Sequence, residues 1–347
     1  MTSKKILVTG CAGFIGYHLI KKILLKKNYQ IIGVDNINNY YDINLKKSRL
    51  KILKKISYNK KNFEFVKLDI SNKARLEKIF KKNYFFKVVH LAAQAGVRYS
   101  LKNPNIYADT NLTGFFNVLD CCRKFKVKHF LYASSSSVYG ATKKIPFIED
   151  NVALKPIQFY AATKVCNEVM AYTYSSLYNI KTTGLRFFTV YGPWGRPDMA
   201  FFSFTKKILQ NKIINVFNYG KHLRDFTYID DIISGIEKVL FNKPKANIKN
   251  NFNIFNLGRG KPISLMRFIK ILEEKIGRKA KIKFVKKQTG DMEKTYSSIK
   301  KIKKFYGYNP IFTPNEGLKL FVEWYLNYYK IKQIKQIKQI KQIKQIK

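Results

Sequence analysis

Tyr160-Ala161-Ala162-Thr163-Lys164 sets a phenol and an ammonium four residues apart. On a helix that spacing puts both groups on one face, where the cation lowers the pKa of the phenol. A tyrosine tuned in this way is a general base that works near neutral pH. The pattern alone says little, because Tyr-x-x-x-Lys also begins at Tyr17, Tyr139, Tyr296 and Tyr328 in a chain rich in both residues. Tyr160 is singled out by position. It opens a helical stretch downstream of Ser134-Ser135-Ser136-Ser137, a hydroxyl cluster that closes an apolar strand. Open α/β sheets bind their ligands at that carboxyl edge.

A second constellation stands at the start of the chain. Gly10-Cys11-Ala12-Gly13-Phe14-Ile15-Gly16 follows the apolar run Ile6-Leu7-Val8 and leads into an amphipathic stretch with Leu19, Ile20, Ile23 and Leu24. Strand, glycine turn and helix in this order aim backbone N–H groups and a helix N-terminus at a pyrophosphate. Gly10 permits the tight turn, Gly13 admits the phosphates, and Gly16 lets the helix pack on the strand. The next strand, Gln30-Ile31-Ile32-Gly33-Val34, ends in Asp35. A carboxylate there accepts hydrogen bonds from an adenosine ribose and repels a 2′-phosphate, so the spacing predicts NAD rather than NADP. A cationic nicotinamide near Tyr160 would lower its phenol further.

Elements able to carry these groups recur along the chain. Strand-like runs at Lys5–Thr9, Gln30–Val34, Phe63–Leu68, Lys87–Leu91, His129–Ala133 and Thr182–Phe187 alternate with helical patterns, which predicts a doubly wound parallel sheet. The longest helices are expected over 104–125 and 158–178. After Tyr191-Gly192-Pro193 the rhythm breaks into shorter pieces. We therefore expect a dinucleotide-binding domain over 1–192 and a smaller C-terminal substrate domain over 193–330, with segments such as Tyr228–Leu240 returning to the first. Residues 331–347 repeat Ile-Lys-Gln with period 3, which suits neither helix nor strand and predicts a frayed tail.

Composition narrows the function classes. Net charge is +46, from 67 basic and 21 acidic residues, but the lysine doublets are scattered and form no single nucleic-acid-binding element. Cys11, Cys121, Cys122 and Cys166 have neither metal-ligand nor disulfide spacing, so no metal is expected and the compartment is a reducing one. Met1 runs into a strand within a few residues, and no apolar run is long enough for a bilayer. The expectation is a soluble cytoplasmic protein without nucleic-acid or membrane partners.

The glycine spacing, Asp35, the serine cluster and Tyr160/Lys164 together resemble the extended short-chain dehydrogenase/reductase family, with its Rossmann fold, over roughly residues 4–330. Gly195-Arg196-Pro197-Asp198-Met199-Ala200, Val216-Phe217-Asn218-Tyr219-Gly220 and Arg224-Asp225-Phe226-Thr227-Tyr228 resemble more closely its UDP-glucuronate 4-epimerases, some of which serve capsular polysaccharide synthesis. The resemblance implies Ser135 as hydroxyl partner of Tyr160. It implies Phe14, Ile15, Asn36, Asp69, Ile70, Asn111 and Phe188 around NAD, and Ser136 and Ser137 by the sugar. Val216 and Asn218 would lie near uracil, with Arg224 and Asp291 on the diphosphate–ribose. Thr189 and Arg196 are expected to take the sugar carboxylate, which a planar guanidinium fork suits. Homodimers formed through two helices, here 104–125 and 158–178, are also implied.

The expected reaction removes the 4-hydroxyl proton and C4 hydride of UDP-glucuronate, turns the 4-keto sugar, and returns hydride to the other face with NAD retained. Related decarboxylases and dehydratases carry an acid just after the Ser/Thr position, where this chain has Ser136 and Ser137. The alternatives are a UDP-glucose or UDP-N-acetylglucosamine 4-epimerase, or a non-catalytic NAD- or polyanion-binding protein with salt-sensitive DNA affinity.

Overall fold

The computed structural model describes residues 4–26, 29–150, 155–248, 250–288 and 290–331. The tail expected at 331–347 lies, beyond Ile331, outside the described residues.

Six strands alternate with helices as far as Phe187: β1 (Lys5–Thr9), β2 (Gln30–Asp35), β3 (Phe63–Lys67), β4 (Lys87–His90), β5 (His129–Ser135) and β6 (Thr182–Phe187). The intervening helices are α1 (Phe14–Lys26), α2 (Ile43–Ile56), α3 (Lys73–Asn83), α4 (Val97–Lys102), α5 (Pro104–Tyr107), α6 (Phe115–Lys124) and α7 (Phe159–Tyr178). Four short strands follow, β7 (Thr189–Tyr191), β8 (Ile213–Phe217), β9 (Leu223–Arg224) and β10 (Phe226–Tyr228), with α8 (Ala200–Leu209) and α9 (Ile229–Phe241) among them. Then β11 (Phe252–Leu257) pairs with β6 and completes a seven-stranded parallel sheet ordered β3-β2-β1-β4-β5-β6-β11. The remainder comprises β12 (Ile263–Ser264), α10 (Leu265–Ile276), β13 (Lys281–Val285), α11 (Lys300–Tyr306) and α12 (Pro314–Tyr328).

Central strands such as β1, β2 and β5 are buried on both faces, which is why they read as unbroken apolar runs. Edge strand β3 keeps Glu64 and Lys67 exposed. Strand order reverses between β1 and β4, so a crevice opens beyond the carboxyl ends there. One apolar cluster runs from Ile6 and Val8 through Tyr191 to Phe268 and Phe321, and seats the later elements firmly on the sheet.

The single helix expected over 104–125 is interrupted. Residues Ala108–Gly114 form a π-type turn between α5 and α6. Asn167 Nδ2 donates to the Asn111 carbonyl at 2.6 Å, drawing it out of the α-helical ladder.

Three histidines, His90 and His129 buried and His18 half-buried, fix a pH dependence of stability. His90 Nδ1 lies 2.9 Å from Thr9 Oγ1, His129 Nε2 2.9 Å from Thr183 Oγ1, and His18 Nε2 2.9 Å from the Pro193 carbonyl. Burial pushes each imidazole down to about 3. Below pH 6.5 the unfolded chain protonates these rings while the folded chain does not. Stability therefore falls on acidification between about 6.5 and 3, by up to ~1.4 kcal/mol per pH unit for each ring. Urea unfolding at pH 6, 5 and 4 should show that slope, and His90→Asn should flatten it.

Candidate active site

The glycine loop hangs on β2, where the Val34 carbonyl accepts from Gly10 N at 2.7 Å and Cys11 N at 3.3 Å. Gly10 has φ +70°, and a Cβ there would stand 2.7 Å from Ala92 N. A Cβ on Gly16 would collide with the Gly10 carbonyl, so α1 can approach the loop only without one. Asp35 accepts from Ala12 N at 3.1 Å and Ile37 N at 2.9 Å, and burial raises its carboxyl above the ordinary value. Asn36 Nδ2 donates to Asp69 at 2.8 Å, and Ser71 supplies its N–H and hydroxyl. Those bonds hold the Asp69 carboxyl below its usual value despite the opposing effect of burial.

The glycine loop, Asp35 and Asn36 edge one cavity of about 260 Å³ at the switch point, which Asp69 and Ser71 do not line. Gly10, Gly13, Phe14, Ile15, Gly16, Asp35, Asn36 and Ile70 line its near end. Ser135, Tyr160, Lys164, Phe188 and Arg196 line its far end. Asn111 is buried instead behind the wall, where its amide bonds Gln94 N at 2.8 Å, Gln94 O at 3.0 Å and Thr163 Oγ1 at 3.1 Å. It braces the loop that follows β4. Gln94 in turn lines the cavity, and its buried Nε2 has no partner among the described residues. A floor that admits no Cβ, the carboxylate of Asp35 and an orphaned amide donor fit a dinucleotide such as NAD.

At the catalytic end, Ser135 closes β5 and its Oγ caps the turn Ser136–Tyr139, accepting from Ser137 N at 3.1 Å. Tyr160 lies in the first turn of α7, with its N–H on Ser100 Oγ at 3.4 Å and its phenol bonded to Ser135. Burial raises that phenol, while the Ser135 bond and the Arg196 charge draw it down. Lys164 Nζ donates to the Ala133 carbonyl at 2.9 Å and is 2 % exposed. Burial lowers its ammonium to about 8, against the pull of Glu168.

Beneath this pair lies a buried network absent from the sequence reading. Glu168 accepts from Ser134 Oγ at 2.5 Å, and Arg186 grips both its oxygens at 2.9 and 2.8 Å. Arg186 also donates to Tyr139 Oη and the Glu149 carbonyl. The Tyr160–Lys164–Glu168 spacing on one helix was the available signal. With side chains 1 % and 8 % exposed, Glu168→Gln would leave the Arg186 charge buried without its counter-ion. The expected loss is about 3–5 kcal/mol, read from chemical unfolding at pH 7.

The other expected substrate residues, Ser136, Ser137, Thr189, Val216, Asn218, Arg224 and Asp291, do not line that cavity. Arg224 donates to the carbonyls of Met292 at 2.6 Å and Glu293 at 2.8 Å, and burial lowers its guanidinium to about 10. Asp291 pairs with Arg98 at 3.5 Å, and Arg98 lies 4.9 Å above the Phe217 ring between Val216 and Asn218. Val216 itself is wholly buried in β8, and Asn218 opens the following turn with φ +51°. Thr189 begins β7, its N–H on the Asp225 carbonyl at 3.2 Å, and is half-buried like Ser136 and Ser137. Gln158 Nε2 bonds the Gly290 carbonyl, joining this group to the start of α7.

Residues 6–258 match the NAD dependent epimerase/dehydratase family. The chain belongs to that family. It is 47 % identical to Protein CapI of Staphylococcus aureus over 94 % of this chain and 99 % of that one. UDP-glucuronate 4-epimerase 4 of Arabidopsis thaliana is 43 % identical over 93 % of this chain and 76 % of that protein. The crystal structure of UDP-glucuronic acid 4-epimerase from Bacillus cereus, in complex with UDP-glucuronic acid and NAD, superposes with TM-score 0.86 at 34 % identity. It matches 94 % of this chain and 100 % of that one.

In this epimerase-family chain, the residues that reach across the site come from an unexpected segment. Arg49, in α2, is fully buried and donates to the Ala12 carbonyl at 2.7 Å, Tyr41 Oη at 2.7 Å and the Trp194 carbonyl at 2.6 Å. It thereby ties the glycine loop to the loop that carries Arg196. Nothing in the lysine-rich pattern of α2 distinguishes it from its neighbours.

Proposed function

We propose that this chain inverts C4 of UDP-glucuronate to give UDP-galacturonate through a 4-keto sugar. The observation that carries the reading is Ser135, Tyr160, Lys164 and Arg196 on one wall of the glycine-loop cavity. The glycine loop, Asp35, Asn36, Ile70 and Gln94 would hold NAD, which when bound accepts and returns the C4 hydride.

Tyr160 takes the proton of the 4-hydroxyl, directly or through Ser135, and later returns one to the C4 oxygen when the keto group is reduced from its other face. Lys164 is fixed on the Ala133 carbonyl one helical turn from Tyr160, and the charge that draws the phenol down is that of Arg196. Arg196 and Thr189 hold the C5 carboxylate, with Ser136 and Ser137 close to the sugar. The UDP lies along Asn218, Arg224 and Asp291, with Arg98 as a second cation there, while Val216, wholly buried, backs that surface from β8. Anchored at the nucleotide, the sugar can turn within the cavity and present its other face.

A second copy of the chain covers α6 and α7, whose Phe116, Val169 and Tyr172 leave apolar surface outside. Light scattering at micromolar concentration should give twice the chain mass. All four cysteines are free, which fits a reducing cytoplasm, and among the described residues no helix is long and apolar enough to cross a membrane. The activity is tested by incubating purified protein with UDP-glucuronate, UDP-glucose and UDP-N-acetylglucosamine in turn and reading C4 configuration by NMR. Conversion of UDP-glucuronate well above the other two is expected; preferential conversion of a neutral sugar would overturn the reading.

A further inference from the structure

We propose that Asp198 is a positioning residue which, anchored by Tyr40, holds one edge of Arg196 so that the other edge meets the sugar carboxylate. The inference rests on the reading that Arg196 receives that carboxylate.

A guanidinium offers two edges for bidentate pairing. Asp198 occupies the side-on edge, with Nε at 3.0 Å from Oδ1 and Nη2 at 2.5 Å from Oδ2. The bonds to Asp198 use Nε and Nη2 and leave Nη1 outside that pair, and Arg196 lines the cavity whereas Asp198 does not. Tyr40 lines the cavity too, so the Asp198 carboxylate holds the guanidinium from between two cavity-lining side chains without itself lining the site. Its Oδ2 also accepts from Tyr40 Oη at 3.2 Å, and the Tyr40 ring lies 5.9 Å from the guanidinium carbon. Side chains of Arg196 and Asp198 are 21 % and 29 % exposed, so the pair is reachable by a ligand yet not fully solvated.

Held this way, Arg196 does not have to be ordered by its ligand, and a long side chain loses substantial rotamer entropy when it is. A planar carboxylate matches the remaining Nη1/Nη2 edge with two charge-assisted bonds, whereas the single hydroxyl of a neutral hexose makes one. The main chain of this loop is fixed independently, since Arg49 grips the Trp194 carbonyl and His18 the Pro193 carbonyl. Loss of Asp198 should accordingly change where the guanidinium points and leave the loop in place. An asparagine there would turn an amide N–H₂ toward Nε or Nη2 and spoil the pairing.

The test is calorimetric affinity of the NAD-loaded protein for UDP-glucuronate, UDP-glucose and UDP. Asp198→Asn is expected to weaken UDP-glucuronate about tenfold, as loss of one well-oriented charge-assisted contact would, with the other two ligands within about twofold. Tyr40→Phe, which removes only the hydroxyl, should move the same ratio the same way by a smaller factor, and it decides the matter should Asp198→Asn not fold. Arg196→Gln is measured alongside. If Arg196→Gln leaves the uronate preference intact, the underlying reading is wrong. If Arg196→Gln abolishes the preference while Asp198→Asn and Tyr40→Phe preserve it, the positioning role is overturned. Equal weakening of all three ligands, or tighter UDP-glucuronate binding, also overturns it.

Discussion

Tyr160→Phe should lower turnover of UDP-glucuronate by about 10²–10⁴-fold, the usual worth of a positioned general acid–base. The change removes one oxygen and keeps the ring that packs edge-on, 6.2 Å from Tyr107. Folding and substrate affinity should therefore change little, and the loss should fall on kcat. Ser135 remains hydrogen-bonded to Ser137, and an aliphatic hydroxyl, far less acidic than a phenol, cannot replace it as base. Initial rates by NMR, with bound NAD released and quantified, separate loss of the base from loss of coenzyme. A fall of less than tenfold with NAD retained would move the proton transfer to another group.

Arg196→Gln should lower kcat/KM for UDP-glucuronate by about 10²–10³-fold, since truncating one partner of a desolvated charge pair costs roughly 2–5 kcal/mol. UDP-glucose, having no carboxylate, should lose little. The same variant probes a hazard of the chemistry. With a ketone at C4, the carboxylate on C5 belongs to a β-keto acid, which loses CO₂ when the scissile bond aligns with the carbonyl π system. The fork of Arg196 would hold it out of that alignment. No carboxylate stands at Ser136 or Ser137 to assist removal of a neighbouring proton. Arg196→Gln should accordingly release CO₂ and accumulate a pentose product, seen by trapping labelled CO₂ and by mass spectrometry. Clean epimerisation at an undiminished rate would count against both statements.

How much of this was legible follows from where the physics is local. Strands β1, β2 and β4 announce themselves through Val, Ile and Leu runs, because a parallel sheet covered on both faces needs them. The seventh strand of the sheet, Phe252-Asn253-Ile254-Phe255-Asn256-Leu257, carries two asparagines and lies far along the chain from its partner β6, so its membership was not visible. Asn256 is there because its amide bonds Tyr139, Phe147 and Ser298 across the sheet edge, a tertiary role with no periodic signature. The break inside 104–125 is of the same kind, set by Asn167 from another helix. Glycine spacing and the Tyr160/Lys164 pair could be read because each is a short-range geometric demand. The partners that aim or brace them could not. Arg49 and Arg186 look like ordinary basic residues until folding buries them against carbonyls and a carboxylate. Arg196 could be picked out as a fork for a carboxylate, yet the carboxylate already on its other edge, two residues away, became visible only in three dimensions.

The most direct test of the central claim follows deuterium placed at C4 of UDP-glucuronate through conversion in ordinary water. Oxidation and re-reduction by one retained coenzyme predict UDP-galacturonate that keeps its label at C4. Product in which the deuterium has been replaced by solvent hydrogen would contradict the account.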